Sequence, residues 1–400
     1  MSIKHKIGIV VEYNPFHNGH LYQIEEIKKI FNVELVVVVL SGDYVQRGEI
    51  SSISKWEKTK IALANSVDLV VELPLYYSIQ NAEVFSSESV KILEYLELDV
   101  QVFGAEEENL MELEKIVQLQ STKEYRETLK EYLKRGNDYN KSNLLTLKDY
   151  KLDNIMQSNN ILGIEYIRAR IENKLKLKQE IIKREKVGYN DKFSIENISS
   201  ATFIRKLIES KDDKVLNEIK SLVPKETYEI LKKNINMNKS KEKEEVLFTL
   251  FKYKFLSDDK EKILKIYDID IDIYNRMLKN IVVTNRHEDF FESMKSRNLS
   301  KRRIQRIILN VLFGIEKDVI KKNMSEEIKY VRVLGFNEKG QKHIKKLQKD
   351  GKKIFVNWKD IEKSKGSEVE TEKIKIEKRG FLLKELIFSK KEQLNPIIVK

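Results

Sequence analysis

The chain has 400 residues, 41% of them apolar and 34% charged, enough to bury two or three cores. Gly (14) and Pro (4) are too scarce for a turn-rich all-β fold, and without cysteine there is no disulfide framework, thiolate metal centre or cysteine nucleophile. The net charge of +12 is uneven: −7 over residues 1–150, +6 over 151–300 and +13 over 301–400, so the last quarter suits a polyanionic partner.

The opening, MSIKHKIGIVVEYNPF, has an apolar run of about five residues ended by Glu12, too short for a signal peptide. No window approaches about 18 continuous apolar residues, so no transmembrane helix is expected and a cytoplasmic protein is. KIGIVVEYN (6–14) predicts a first strand, and the stripe Leu21, Ile24, Ile27, Ile30, Phe31 predicts a helix over 20–31. VELVVVVLSG (33–42) is too β-branched for a helix and predicts strand two. SKWEKTKIALAN (54–65) predicts a helix capped by Ser54. VDLVVELP (67–74) is strand three, 81–98 a helix, DVQVFGAEE (99–107) strand four ending at Gly104, and EIIKREKV (180–187) a fifth strand.

Past residue 207 the strand signals fade. Residues 207–234 read as helix broken at Pro224, and 236–246 as a charged linker. Residues 299–315 predict a helix that opens on Lys301, Arg302, Arg303 and Arg306; 330–349 read as strand, turn, helix. The alternation in EVETEKIKIEKRG (368–380) reads as weakly strand-like. Alternating strands and helices with continuous apolar strands predict an α/β fold, a doubly wound parallel sheet with strands one and four adjacent and central. Such a sheet binds ligands at the carboxyl ends of its strands, at the switch point.

Two of the five histidines, His17 and His20, sit in NPFHNGH, directly after strand one. The unpaired N–H groups of the following helix favour phosphate there, Gly19 lets a nucleotide lie against the backbone, and two imidazoles supply donors. The alternative is a pair of zinc ligands, but the sequence offers no third ligand that is easy to name, so no metal ligand is assigned. ISSATFIRK (198–206) is a second phosphate-type element: Ser199 and Ser200 can cap a helix, Thr202 adds a hydroxyl, and Arg205 reaches the same anion. Among weaker features, Gln46 and Arg47 are open to a triphosphate contact, a tRNA contact or a plain surface loop, and Tyr44 to stacking on a base. Trp56 reads as core. Four cations at a helix N-terminus oppose its dipole, which points Lys301, Arg302, Arg303 and Arg306 to nucleic-acid phosphates.

HNGH after strand one resembles the HxGH signature of the nucleotidyltransferase superfamily, and ISSATFIR resembles an element of its adenylyltransferases. GIVVEYNPFHNGHLY, LSGDYVQRGE, KWEKTKIAL, VDLVVELP, NNILGIEYI and YVRVLGFNEKGQ together resemble the bacterial tRNA(Met) cytidine acetate ligase family, over the chain to about residue 345. The resemblance implies a nucleotidyltransferase domain over 1–206 and a mainly helical, basic tRNA-binding region over 207–400. It implies that ATP and acetate form acetyl-adenylate, and that acetyl passes to the wobble cytidine of elongator tRNA(Met), giving N4-acetylcytidine. ATP would be held by Ile9, Val10, Val11, Glu12, Tyr13, Asn14, Pro15, Phe16, His17, Asn18, Gly19, His20 and Leu21. Gly104, Asn160 and Arg184 would join them, with Ser199, Ser200 and Thr202. His17, His20 and Arg205 would act on the α-phosphate, and Mg2+ would accompany ATP, with no carboxylate cage in view. Asp43 departs from the family pattern, since a neutral polar residue is expected there and a carboxylate repels phosphate unless paired. The rival readings are a small-molecule adenylyltransferase of cofactor synthesis, which has no use for about 190 further residues, and a non-enzymatic RNA-binding protein, against which the intact histidine pair stands.

Overall fold

The computed structural model describes residues 3–155, 158–184, 201–209, 215–234, 240–296, 299–364, 366, 368–388, 391 and 393–399. Among the described residues there are ten strands: β1 His5–Val11, β2 Val33–Ser41, β3 Tyr44–Val45, β4 Glu49–Ile50, β5 Leu69–Leu73, β6 Val100–Ala105, β7 Lys178–Lys183, β8 Val331–Phe336, β9 Ile354–Phe355 and β10 Ile397–Ile398. The main sheet runs β10-β8-β5-β2-β1-β6-β7, with β9 beside β8, while β3 and β4 form a separate hairpin. From β5 to β7 all pairs are parallel. The sequence strands one to five are β1, β2, β5, β6 and β7, and strands one and four are adjacent as expected.

The VVVVL run of β2 shows why this sheet needs cover on both faces. Val37 and Val39 join one core cluster, and Val36, Val38 and Leu40 join the other. Alternation sends successive side chains to opposite faces, so both must be apolar. The helices Asn18–Ile30, Lys55–Ala64, Ala82–Tyr95 and Ser158–Glu172 provide the cover. Ser54 caps the second of these, and Glu57 answers from the third position, a reciprocal pair that satisfies two orphan donors. A separate helical core gathers Phe248, Phe251, Phe255, Met277, Phe290 and Ile304.

The sheet itself does not stop at residue 206. β8 adds to the edge of β5, antiparallel to it, and β10 follows β8, so the last quarter of the chain completes the sheet begun by the first. A buried charge cluster fastens this return. Glu72 on β5 accepts from Lys55 at 2.9 Å and from Arg332 on β8 at 2.8 Å. Asp43 is paired with Lys384 of the helix Glu368–Phe388 at 2.9 Å. Burial pushes the Asp43 carboxyl up, but Lys384, Lys55 and the Lys55 backbone N–H outweigh it and hold it below its usual range. The carboxylate that departs from the family pattern is therefore a paired structural anion and no phosphate repellent.

Two expectations are corrected. Residues 368–380 are helix, not strand. The buried positions Lys373, Ile376, Glu377, Gly380 and Phe381 follow helical spacing, but two are charged and one is glycine, so an apolar reading sees only the alternation around Ile374 and Ile376. Of the expected linker 236–246, the part from Ser240 opens a helix that runs to Ser257.

Candidate active site

The loop between β1 and the helix Asn18–Ile30 contains Tyr13, a non-glycine residue at φ +44°. This strained position is held because its buried ring packs edge-on against Phe16 at 4.6 Å and His20 at 4.8 Å. The two histidines then form the helix's own cap. The Gly19 N–H donates to His17 Nδ1 at 3.1 Å, and the His17 N–H donates to His20 Nδ1 at 3.2 Å. With both Nδ1 atoms accepting, the hydrogen bonds assign the ring protons to Nε2, leaving each Nε2–H as a donor. The rings stack with centroids 3.8 Å apart. Burial, then the Arg184 and Arg205 charges, lower the His17 pKa to about 3. Burial, then His17 and Arg184, lower that of His20 as well. Both are thus neutral at physiological pH.

Arg205 comes from the helix Ala201–Glu209 and donates to the Asn14 carbonyl at 2.7 Å. The Thr202 hydroxyl accepts from Arg205 at 3.3 Å and from Arg47 at 3.1 Å, so it holds two guanidinium groups side by side. Ser199 and Ser200 lie outside the described residues. Arg47 sits in the β3–β4 hairpin, where the Gln46 N–H donates to Glu12 at 2.8 Å and ties the hairpin to the β1 loop. At its tip Gly48, at φ +76°, packs against the helix Lys301–Phe313 so closely that an added Cβ would lie 2.5 Å from the Arg306 nitrogen.

These elements enclose a cavity of about 480 Å³ at the carboxyl ends of β1 and β6, a ligand-sized space at the switch point. Of the β1 segment, Val10, Val11, Glu12, Tyr13, Asn14, Gly19 and His20 line it, while Ile9 and Phe16 are core and Asn18 donates to the Ser221 carbonyl at 2.8 Å. Pro15, His17 and Leu21 are not in the lining; His17 lies behind His20. Gly104 lines the opposite wall, where a Cβ would meet Arg184 Cγ at 3.1 Å.

Asn160 does not reach the cavity. Its carbonyl accepts the Glu106 and Glu107 N–H groups at 2.8 and 3.0 Å, and its amide donates to Ile155 at 2.8 Å, so it shapes the loop after β6. Its neighbour Asn159 does line the wall and accepts from Arg184 at 2.6 Å. Asn159 escaped the sequence reading because which of two adjacent asparagines faces inward depends on the helix's rotation.

The basic run is split by helix geometry. Arg302 and Arg306, one turn apart, line the nucleotide-sized cavity. Lys301, Gln305 and Ile308, on the neighbouring stripe, line a second cavity of about 430 Å³. Arg303 is bound to Asp268, donating at 2.7 Å and 3.0 Å. Of the four expected phosphate contacts, Arg303 is thus ion-paired within the lobe, and the Ser300 hydroxyl caps the helix. Arg47 and Arg205 line both cavities.

Among the described residues no group of three or more His, Asp or Glu side chains gathers to hold a metal, and no helix is long and apolar enough to cross a membrane. An ion carried by a triphosphate takes its ligands from phosphate oxygens and water, and Glu12 is a carboxylate in the cavity wall that fits such an outer role.

The HIGH Nucleotidyl Transferase family model matches residues 4–394. The tRNA(Met) cytidine acetate ligases of Fusobacterium nucleatum subsp. nucleatum and Anoxybacillus flavithermus are 41% and 35% identical to the chain. Each alignment covers 86% of this chain, with 85% and 86% of the respective relative. Thermotoga maritima TmcAL in its apo form I is similar in structure, with a TM-score of 0.87, 27% identity and 99% of each chain covered. The same protein bound with alpha-thio ATP also gives 0.87 at 27% identity, covering 98% of this chain and 99% of that one.

Proposed function

This chain belongs to the tRNA(Met) cytidine acetate ligase family of HIGH nucleotidyl transferases, and from that premise we propose that it activates acetate with ATP and passes the acetyl group to a tRNA cytidine. The observation that carries the reading is the pair of neutral imidazoles, each with its proton on Nε2, with His20 in the wall of a cavity it shares with Arg205. An acetate oxygen attacks the α-phosphorus, the bond to the β-phosphate oxygen breaks, and pyrophosphate leaves. No side chain has to form a covalent bond. The protein holds the two reactants in line and stabilises the charge on the α-phosphate.

In this reading His20, with His17 behind it, and Arg205 act on the α-phosphate. Arg302 and Arg306 hold the outer phosphates, and Mg2+ bound with the triphosphate neutralises part of their charge. Gly104 leaves room for adenosine beside Arg184, which Asn159 orients. Asn160 contributes by fixing the loop after β6. The exocyclic amine of the wobble cytidine of elongator tRNA(Met) then attacks the acetyl carbonyl, giving N4-acetylcytidine and AMP. Catalysis falls to the residues up to about 206, and RNA binding to the basic helical region beyond them, with Arg302 and Arg306 crossing that division. The test is incubation with ATP, labelled acetate and total tRNA, followed by digestion. Labelled acetylcytidine is expected, and label in no nucleoside would overturn the reading.

A further inference from the structure

The second cavity shares a wall with the site assigned to the activation of acetate. The helix Lys301–Phe313 and the pair Arg47 and Arg205 separate two spaces of similar size, one lined by His20 and the other by Glu244, Phe248, His287 and Phe291. An acceptor has to arrive within bonding distance of a carbonyl held beside Arg205. A ligand-sized space on the far side of that same guanidinium is where it can come from.

The chemistry of this wall matches an amine on an aromatic base. Phe248 and Phe291 give the cavity an aromatic side, and Lys206 and Lys301 line it with positive charge for phosphates. Between them stands an acid–base unit. His287 is buried, with 3% of its surface exposed. Its Nδ1 lies 2.7 Å from Glu245 Oε1, and Glu245 also accepts the His287 backbone N–H at 3.2 Å, so one carboxylate fixes the ring. The other ring nitrogen, Nε2, lies 2.7 Å from Glu244 Oε2, at the cavity edge. A carboxylate is the side chain that accepts from a cytosine exocyclic amine, and the imidazole beside this one holds it in place.

We propose that this cavity is the acceptor subsite, that it takes the amine-bearing pyrimidine of an RNA strand, and that Glu244 is the catalytic residue that receives the proton lost by the amine. His287 and Glu245 are positioning residues for it. The inference rests on the acyl-transfer reading of the first cavity. In the step, the amine nitrogen bonds to the acetyl carbon and the bond from that carbon to the AMP oxygen breaks. AMP leaves as the anion, and the amine proton passes to Glu244, whose side chain is 38% exposed, and from there to solvent.

The experiment compares wild type with Glu244→Gln in two assays. One is acetate-dependent exchange of pyrophosphate into ATP without RNA; the other is single-turnover transfer to tRNA from chemically made acetyl-adenylate, which bypasses activation. Gln keeps an accepting oxygen but cannot take the proton. Transfer should fall by about 10²–10⁴-fold, the range for losing a positioned base, while exchange and the Kd for tRNA stay at wild-type values. Lys301→Gln should instead weaken tRNA binding and lower its salt slope by about one unit. Transfer by Glu244→Gln at the wild-type rate, or a matching loss of exchange and transfer, would overturn the assignment. Absence of exchange in the wild type would instead sink the activation reading, and the transfer comparison would still be decided on its own.

Discussion

His20 does two jobs that one substitution can separate. As the third helical residue it accepts the His17 N–H, and as an imidazole it offers Nε2–H to the cavity. His20→Gln keeps an acceptor suited to that capping position and removes the imidazole. Turnover should fall by about 10²–10³, as for losing one preorganised donor, with the melting temperature nearly unchanged. Steady-state rates of pyrophosphate release check this, and wild-type turnover would remove His20 from the chemistry. His17 is best tested through stability. Its folded pKa of about 3 lies below the unfolded value of 6.5, so below that value the unfolded chain binds a proton that the folded one refuses. The sign is a stability lost as pH falls from about 6.5 toward 3, at up to about 1.4 kcal/mol per pH unit. His20 acts with the same sign, whereas Glu377, raised to about 8 mainly by burial, acts with the opposite sign between the usual carboxylate range and 8. Urea midpoints at pH 7 and 5 should therefore differ less in His17→Asn than in wild type; equal differences would contradict a neutral buried His17. Gly104→Val should push Arg184 out of place and weaken ATP binding at least about tenfold by calorimetry, the scale of an overpacked contact. Unchanged affinity would move the nucleotide elsewhere. At this scale HNGH was legible because the motif, the strand end and the glycine agree. Asn159 was not, because both asparagines begin the same helix and only packing sets which one turns to Arg184.

At the scale of elements, β1, β2, β5 and β6 and the helices between them at Asn18–Ile30, Lys55–Ala64 and Ala82–Tyr95 follow from periodicity, and the Ser54 cap sits where the sequence places it. What periodicity cannot show is which faces meet. The helix Lys301–Phe313 was readable as a helix, but its role as the wall between two cavities depends on Gly48 letting the β3–β4 hairpin approach its backbone. The helix Glu368–Phe388 was misread because its inward face carries charge, and that charge is what fastens it. Lys384→Met leaves the buried Asp43 with the Lys55 backbone N–H at 2.9 Å and, as nearest ion-pair partner, the more distant Lys55 ammonium at 3.9 Å, and should cost up to about 3–5 kcal/mol of unfolding free energy. Urea denaturation measures this directly. A loss under about 1 kcal/mol, the size of an exposed pair, would show that the cluster does not hold the C-terminal helix in place.

For the whole molecule, the parallel half of the sheet was legible and the return of β8 and β10 to it was not. Such a return depends on contacts across more than 200 residues, Arg332 to Glu72 among them, which leave no local pattern. The same long reach builds the site: the cavity takes residues from the β1 loop, the β6 edge, the helix Ala201–Glu209 and the helix Lys301–Phe313. In the proposed reading, a site assembled this way makes acetyl-adenylate with no RNA present, since no group assigned to that step comes from the RNA. The most direct test is exchange of labelled pyrophosphate into ATP by the purified full chain, with and without acetate, in the absence of RNA. Exchange that appears only with acetate, and that His20→Gln lowers by about 10²–10³, is the expected result. Exchange equally fast without acetate, or none until tRNA is added, would contradict it.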